Sequence, residues 1–421
     1  MNWKSFRGRR WFVLMTVIGI IFIGSWIFFY QENLKSTYTE KYHEPDPTKN
    51  KVAVVIGKEG IYDSERVASQ VSEYFKAVKK DLDIENAGLK KFEGKTLNDI
   101  DKLDKFVDEL YLNEDVAYII FIGDDLPIGD TTNEPTTRQY GAPDRPALPV
   151  EPIQYKLGCV NKDCNFRVTP KALKPTKEEC VMPPPPISAS EIHCKMLRLQ
   201  KDVGISFILP PVKYSNEDSV NFVLNVLKTY TEYHNNFAEL VKEYQQSILA
   251  IQHKPDRPIK RVDSNLGFEL PNVALFNRGE SEKVSDELKK KHIILVLGVH
   301  GTRTTVGLGF KNETSQITLE EWSNFTNAYG TPALFVESDA SESLIMSPDR
   351  RDNRVYCCWP QIFMESGVWA YSSYGMSANL VPGTESLGVR KSLSTGETYG
   401  LAIRKNTHTP IIWGDILAHV K

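Results

Sequence analysis

Short uninterrupted apolar runs, each stopped by glycine, proline or a polar cluster, alternate along this chain with stretches in which apolar residues return every three or four positions. Residues 51–57 read KVAVVIG; 116–122 end at Gly123-Asp124-Asp125; 204–209 stop at Pro210-Pro211; 293–299 end at His300-Gly301; and 333–336 run into Glu337-Ser338-Asp339-Ala340-Ser341. Runs of this length, rich in β-branched residues, predict strands covered on both faces, as in parallel sheets. Between them, Val67, Val71, Phe75 and Val78 share one helical face, and residues 99–111 predict a second amphipathic helix. Val220, Val223, Leu224, Leu227 and Tyr230 line a third, capped by Ser215 or Asn216, with helical character continuing to about residue 251. Further on come a strand at 272–276, a charged helix at 280–291, a helix at 359–366, a strand at 368–371 and a helix at 392–404. Strands alternating with helices in this way predict an α/β fold with a mostly parallel sheet and right-handed crossovers.

The first thirty residues follow another pattern. Residues 11–30 contain no charged side chain, and twenty residues at about 1.5 Å each make roughly 30 Å of helix, enough to cross a membrane. Lys4, Arg7, Arg9 and Arg10 precede the run, so the positive-inside rule keeps residues 1–10 cytoplasmic and places the main domain outside the cytoplasm. No small-x-small cleavage pattern follows, so the run reads as a transmembrane signal anchor rather than a removed signal peptide. Residues 31–50, polar and with two prolines, read as a stalk. A first α/β subdomain is expected over 51–130 and the remainder of the domain over 198–421.

Between them, at 131–197, periodicity disappears and prolines recur. Cys159, Cys164, Cys180 and Cys194 lie here, four of the six cysteines. Outside the cytoplasm two disulfides are expected, with three pairings open; a zinc site with His193 is the minor alternative, because the spacings match no strong zinc signature. Cys357 and Cys358 read as a pair of partly buried thiols or as one disulfide partner. Composition adds little: 41% hydrophobic, 25% charged and a net charge of −3 give no reason to expect a nucleic-acid partner. No cofactor is expected.

The chemistry concentrates in the runs at 293–299 and 333–336. In open α/β sheets reactive groups collect beyond the carboxyl ends of strands, so two neighbouring strands would bring His300 and Ser341 together, a base beside a candidate nucleophile. Apolar strand-His-Gly followed by apolar strand-x-Asp-Ala-nucleophile resembles the gingipain-like, caspase-fold cysteine peptidases. The order of the surrounding pieces over about 51–421 agrees, down to the helix before Trp413-Gly414-Asp415, while 130–197 has no counterpart. Glu337 to Met346 also looks like the corresponding loop of legumains. The resemblance implies a caspase-like sheet flanked by helices and a peptide or protein substrate. It places the catalytic histidine at His300, an oxyanion-hole N–H at Gly301, and the family's nucleophilic cysteine at the position held here by Ser341. A serine hydroxyl stays protonated and needs a base during attack, usually one oriented by a carboxylate. Serine chemistry and loss of activity, leaving a peptide-binding module of the cell envelope, both stay open.

Overall fold

The computed structural model describes residues 44–95, 99–123, 125–127, 160, 202–211, 214–252, 273–276, 281–298, 305–307, 316–338, 359–373, 392–405 and 411–420. The predicted anchor and all six cysteines lie outside them, as does the 131–197 insertion except Val160, whose N–H donates to Asp202. Among the described residues no helix is long and apolar enough to cross a membrane.

The chain opens with β1 (Lys51–Gly57), α1 (Glu65–Leu82), β2 (Glu85–Phe92), α2 (Ile100–Glu114), β3 (Val116–Ile122) and β4 (Gly204–Ile208). The helix α3 (Asn216–Asn235) leads through the short α4 (Phe237–Leu240) to β5 (Gln245–Gln252), β6 (Val273–Phe276), α5 (Ser281–Leu288) and β7 (His292–Gly298). A small antiparallel pair, β8 (Thr305–Gly307) and β9 (Gln316–Thr318), precedes α6 (Leu319–Tyr329) and β10 (Ala333–Ser338). The last elements are α7 (Trp359–Glu365), β11 (Ala370–Ser373), α8 (Tyr399–Lys405) and β12 (Ile411–Gly414).

Ten strands form one sheet in the order β2-β1-β3-β4-β12-β11-β10-β7-β5-β6. Every neighbouring pair is parallel except β11 and β12. That single antiparallel joint divides the sheet into halves: β1 to β4 with β12 run one way, and β5, β6, β7, β10 and β11 run the other. The consequence for the strand ends can be traced bond by bond. Gly123, just past β3, donates to the Ile208 carbonyl; Phe207 pairs with Trp413; and Gly414 pairs with Ala370, where β11 begins. The carboxyl ends of the strands therefore do not all meet at one edge: Gly123 leaves the sheet where β11 starts, away from the ends of β7 and β10.

Local sequence explains most elements. The α1 stripe Val67, Val71, Phe75 and Val78 is buried as its spacing predicts, and Ser64 caps the helix by accepting from the Val67 N–H. Ser215 caps α3 through the Asp218 N–H at 3.2 Å. The two helices lie side by side in the same sense, because Arg66 pairs with Glu217 near their starts and Asp81 with His234 near their ends. Helical character does not run on to residue 251: α3 stops at Asn235, and residues 245–252 form β5, a strand flanked by β7 and β6. Its pattern QQSILAIQ fits a helix face locally, but backbone pairing on both sides overrides that propensity. Similarly, Ser392 opens a single turn and the final helix is Tyr399–Lys405.

Gly414 closes the joint between the halves. Its φ is +99°, and a Cβ there would stand 2.5 Å from the Trp369 carbonyl oxygen and 2.8 Å from the Tyr230 hydroxyl. A side chain would meet both backbone strain and contacts with little freedom to give. Gly414→Ala is expected to cost about 1–3 kcal/mol of stability, read as a lower denaturant midpoint; an unchanged midpoint would show that the joint tolerates a Cβ.

Candidate functional site

The strands that lead to the predicted catalytic residues are neighbours. β7 and β10 pair in parallel, with Glu337 opposite Val296 and Ser338 opposite Leu297. On the other side of β10, Ser338 is opposite Ser373 of β11. The three strands therefore finish level at one edge. His300 follows the end of β7 by two residues and Ser341 follows the end of β10 by three. His300, Gly301 and Ser341 themselves lie outside the described residues. Glu337 is in β10 and buried at 3% exposure.

A different serine and histidine are bonded to each other. Ser247 of β5 and Nδ1 of His292, the first residue of β7, are 2.7 Å apart, and Nε2 of the same ring is 3.0 Å from the Glu287 carbonyl. A carbonyl only accepts, so Nε2 carries the proton and Nδ1 accepts from the serine hydroxyl. Burial holds His292 below its ordinary pKa, which suits the neutral ring. Ser247 is 1% exposed and His292 2%, so this pair joins the starts of two strands within the core and offers no hydroxyl to a substrate.

The most strongly perturbed titratable cluster was not anticipated from the sequence. Asp415, directly after β12, is fully buried. It accepts from the Tyr74 hydroxyl of α1 at 2.7 Å, from the Trp369 indole N–H at 3.1 Å and from the Leu417 backbone N–H at 2.8 Å. His234, at the end of α3, bridges two carboxylates: Nε2 lies 2.9 Å from Asp415 and Nδ1 2.7 Å from Asp81. His419 reaches the same Asp81 oxygen through Nε2 at 2.8 Å. With both carboxylates ionised, both nitrogens of His234 must donate, so this ring is an imidazolium.

The pKa directions agree with that geometry. Burial lowers the His234 pKa, but the Asp415 and Asp81 carboxylates outweigh it and raise the value to about 9. For Asp81, burial acts upward and is outweighed by the hydrogen bonds from His234 and His419, which bring it down to about 2. Asp415 is likewise held below the ordinary carboxylate range, burial being overcome by His234. Asp415 follows Gly414, the partner of the first residue of β11. The cluster thus lies beside the start of β11, whereas the predicted catalytic residues follow the ends of β7 and β10. One sequence signal could have shown it: His234 continues the buried stripe Val223, Leu227, Tyr230 of α3, and a histidine in such a stripe requires polar partners.

No family model matches the chain, and no curated protein matches it by sequence. Among solved structures it is similar to the Arg-specific cysteine proteinase gingipain R (RgpB), with a TM-score of 0.50 and 13% identity over 90% of this chain and 80% of that one. A complex of the Porphyromonas gingivalis RgpB pro- and mature domains gives a TM-score of 0.49 and 12% identity over 88% of this chain and 79% of that one. The first likeness, at this identity, shows the fold: a mostly parallel α/β sheet with flanking helices, as in gingipain R.

The network gives stability a defined pH dependence. His234 has a folded pKa raised from 6.5 to about 9, so its contribution is complete below the unfolded value and is lost as pH rises through the folded one. Asp81 is lowered from 3.8 to about 2, so its contribution is present above the unfolded value and lost as pH falls through the folded one. In chelator-treated protein the melting temperature should fall between about pH 6.5 and 9, and Asp81→Asn, which removes one of the two carboxylates, should make that fall shallower. Identical alkaline slopes for the two proteins would contradict the assignment.

Proposed function

We propose that this chain is a membrane-anchored, extracytoplasmic domain of the gingipain-like peptidase class that acts on peptide or protein chains. The single observation that supports it is the parallel pairing of β7 and β10, which end two and three residues before His300 and Ser341 in a sheet with the gingipain fold. In this reading His300 is the general base, the Ser341 hydroxyl attacks the scissile carbonyl, and the N–H groups of Gly301 and Ser341 stabilise the oxyanion. Residues 11–30 anchor the chain, with residues 1–10 in the cytoplasm.

A second reading is favoured by one residue. Where the resemblance places a cysteine, the chain has Ser341, and a two-residue Cys/His arrangement does not convert directly to serine, whose hydroxyl does not ionise beside a histidine. That reading is a peptide-binding module of the cell envelope that keeps the cleft without the chemistry.

The full chain in detergent, assayed on a mixed peptide library, separates the two. The peptidase reading expects cleavage that His300→Ala reduces by about a hundredfold or more. Cleavage seen only after Ser341→Cys would establish the binding module instead, and cleavage indifferent to His300→Ala would overturn the assignment of the base. For the anchor, a reporter active only outside the cytoplasm, fused after Lys421, should be active; an inactive reporter from an expressed fusion would contradict the topology.

A further inference from the structure

The Asp81, His234 and His419 side chains come from three separate places in the chain: the end of α1, the end of α3 and the tail after β12. One donor atom from each lies within 4.8 Å of the other two. Two imidazoles and one carboxylate are a ligand set for zinc and the neighbouring divalent transition metals rather than for calcium or magnesium, which favour all-oxygen shells.

We propose that Asp81, His234 and His419 form a divalent transition-metal site of the zinc class, with Asp415 as the outer carboxylate that orients His234. The spacing is close to what a metal requires. Bonds of about 2.0–2.1 Å in a tetrahedron set neighbouring donors about 3.3 Å apart, so the present contacts of 2.7 and 2.8 Å need to open by only about half an ångström on ion entry. The outer contact is already in place: His234 holds Asp415 through Nε2 while Nδ1 faces Asp81, the arrangement in which a carboxylate fixes the tautomer of a metal-bound imidazole. Asp415 is itself held by Tyr74, Trp369 and Leu417.

Solvent exclusion and entry are both provided. The side chains of His234 and His419 are 0% and 3% exposed, while that of Asp81 is 14% exposed, leaving Asp81 as the side from which an ion and a fourth ligand, a water, arrive. Phe237 packs on His419 with ring centroids 4.1 Å apart, and Trp369 lies 5.2 Å from His234 and 5.4 Å from His419. Binding balances simply. The proton on His234 Nδ1 leaves to solvent while its Nε2–H stays on Asp415. The Nε2 proton that His419 directs at Asp81 is also given up to solvent, and the ring binds through Nε2 as the tautomer protonated at Nδ1, any proton needed there being taken from solvent. The metal then takes over the task of the bridging proton, tying the C-terminal tail to α1 and α3. This site is separate from the edge used in the peptidase reading and does not depend on it.

The test uses the full chain in detergent, stripped with a chelator and then given zinc chloride. One zinc per chain should survive gel filtration, and Asp81→Asn and His419→Gln should each weaken retention at least about tenfold. Cobalt(II) loaded in place of zinc should give a tetrahedral visible spectrum without a thiolate charge-transfer band. No zinc retained by the wild-type chain would overturn the proposal whatever the variants do. So would retention unchanged in both variants, or a cobalt thiolate band, which would move the metal to the cysteines.

Discussion

A carboxylate taken fully out of water must be compensated where it stands, and Asp415 meets that constraint with partners far apart in the chain. Tyr74 brings α1 from 341 residues away in sequence, His234 brings α3, and Trp369 brings the start of β11. Removing His234, its only cationic partner among these, would leave a buried charge unpaired, which costs on the order of 3–5 kcal/mol. The position of Asp415 follows from Gly414, whose positive φ turns the chain out of β12, and from the antiparallel pairing of β12 with β11. One short strand and the acid after it therefore set how the two halves of the sheet meet.

That joint also decides which loops can share a surface. Because the first half runs against the second, the loops after β1, β3 and β4 do not open on the edge where β7, β10 and β11 finish. The domain has two chemically distinct edges. At one, the strands β7, β10 and β11 finish; the other carries the imidazole and carboxylate network. Partners rather than burial separate His292 from His234, since both rings are buried. His292, bonded to Ser247 and a carbonyl, stays neutral, whereas His234 between two carboxylates stays charged. The same residue type is thus a neutral spacer in one place and a cationic clamp in the other, according to its partners.

Much of the fold was legible because its information is local. The strands 51–57 and 116–122 coincide with β1 and β3, the apolar stripe of α1 is buried as spaced, and that of α3 is buried except for Leu224, which is partly exposed. What failed to show depends on distant pairing or on polar residues. β2 reads ENAGLKKF, half-buried or exposed except at Phe92, and is a strand because its backbone pairs with β1. α6 lies in what reads as a polar connection, yet Thr318 and Glu321 form a capping box that marks its start. The direction of the first half relative to the second rests on four residues, 411–414, and the polar network joins positions 74, 81, 234, 369, 415 and 419. No periodicity links residues so far apart. For the candidate catalytic frame, the sequence reading extended to the adjacency of its strands, which the structure has, and the roles of His300, Gly301 and Ser341 stay a proposal.

The central proposal is that positions 300 and 341, which follow the paired strands β7 and β10, meet at one point. A chain carrying His300→Cys together with Ser341→Cys, treated with the shortest bifunctional thiol reagent and mapped by mass spectrometry, tests it most directly. The account predicts that the peptide containing position 300 is joined to the peptide containing position 341 within the same chain. Both thiols labelled singly in good yield, with no joined peptide, would contradict it.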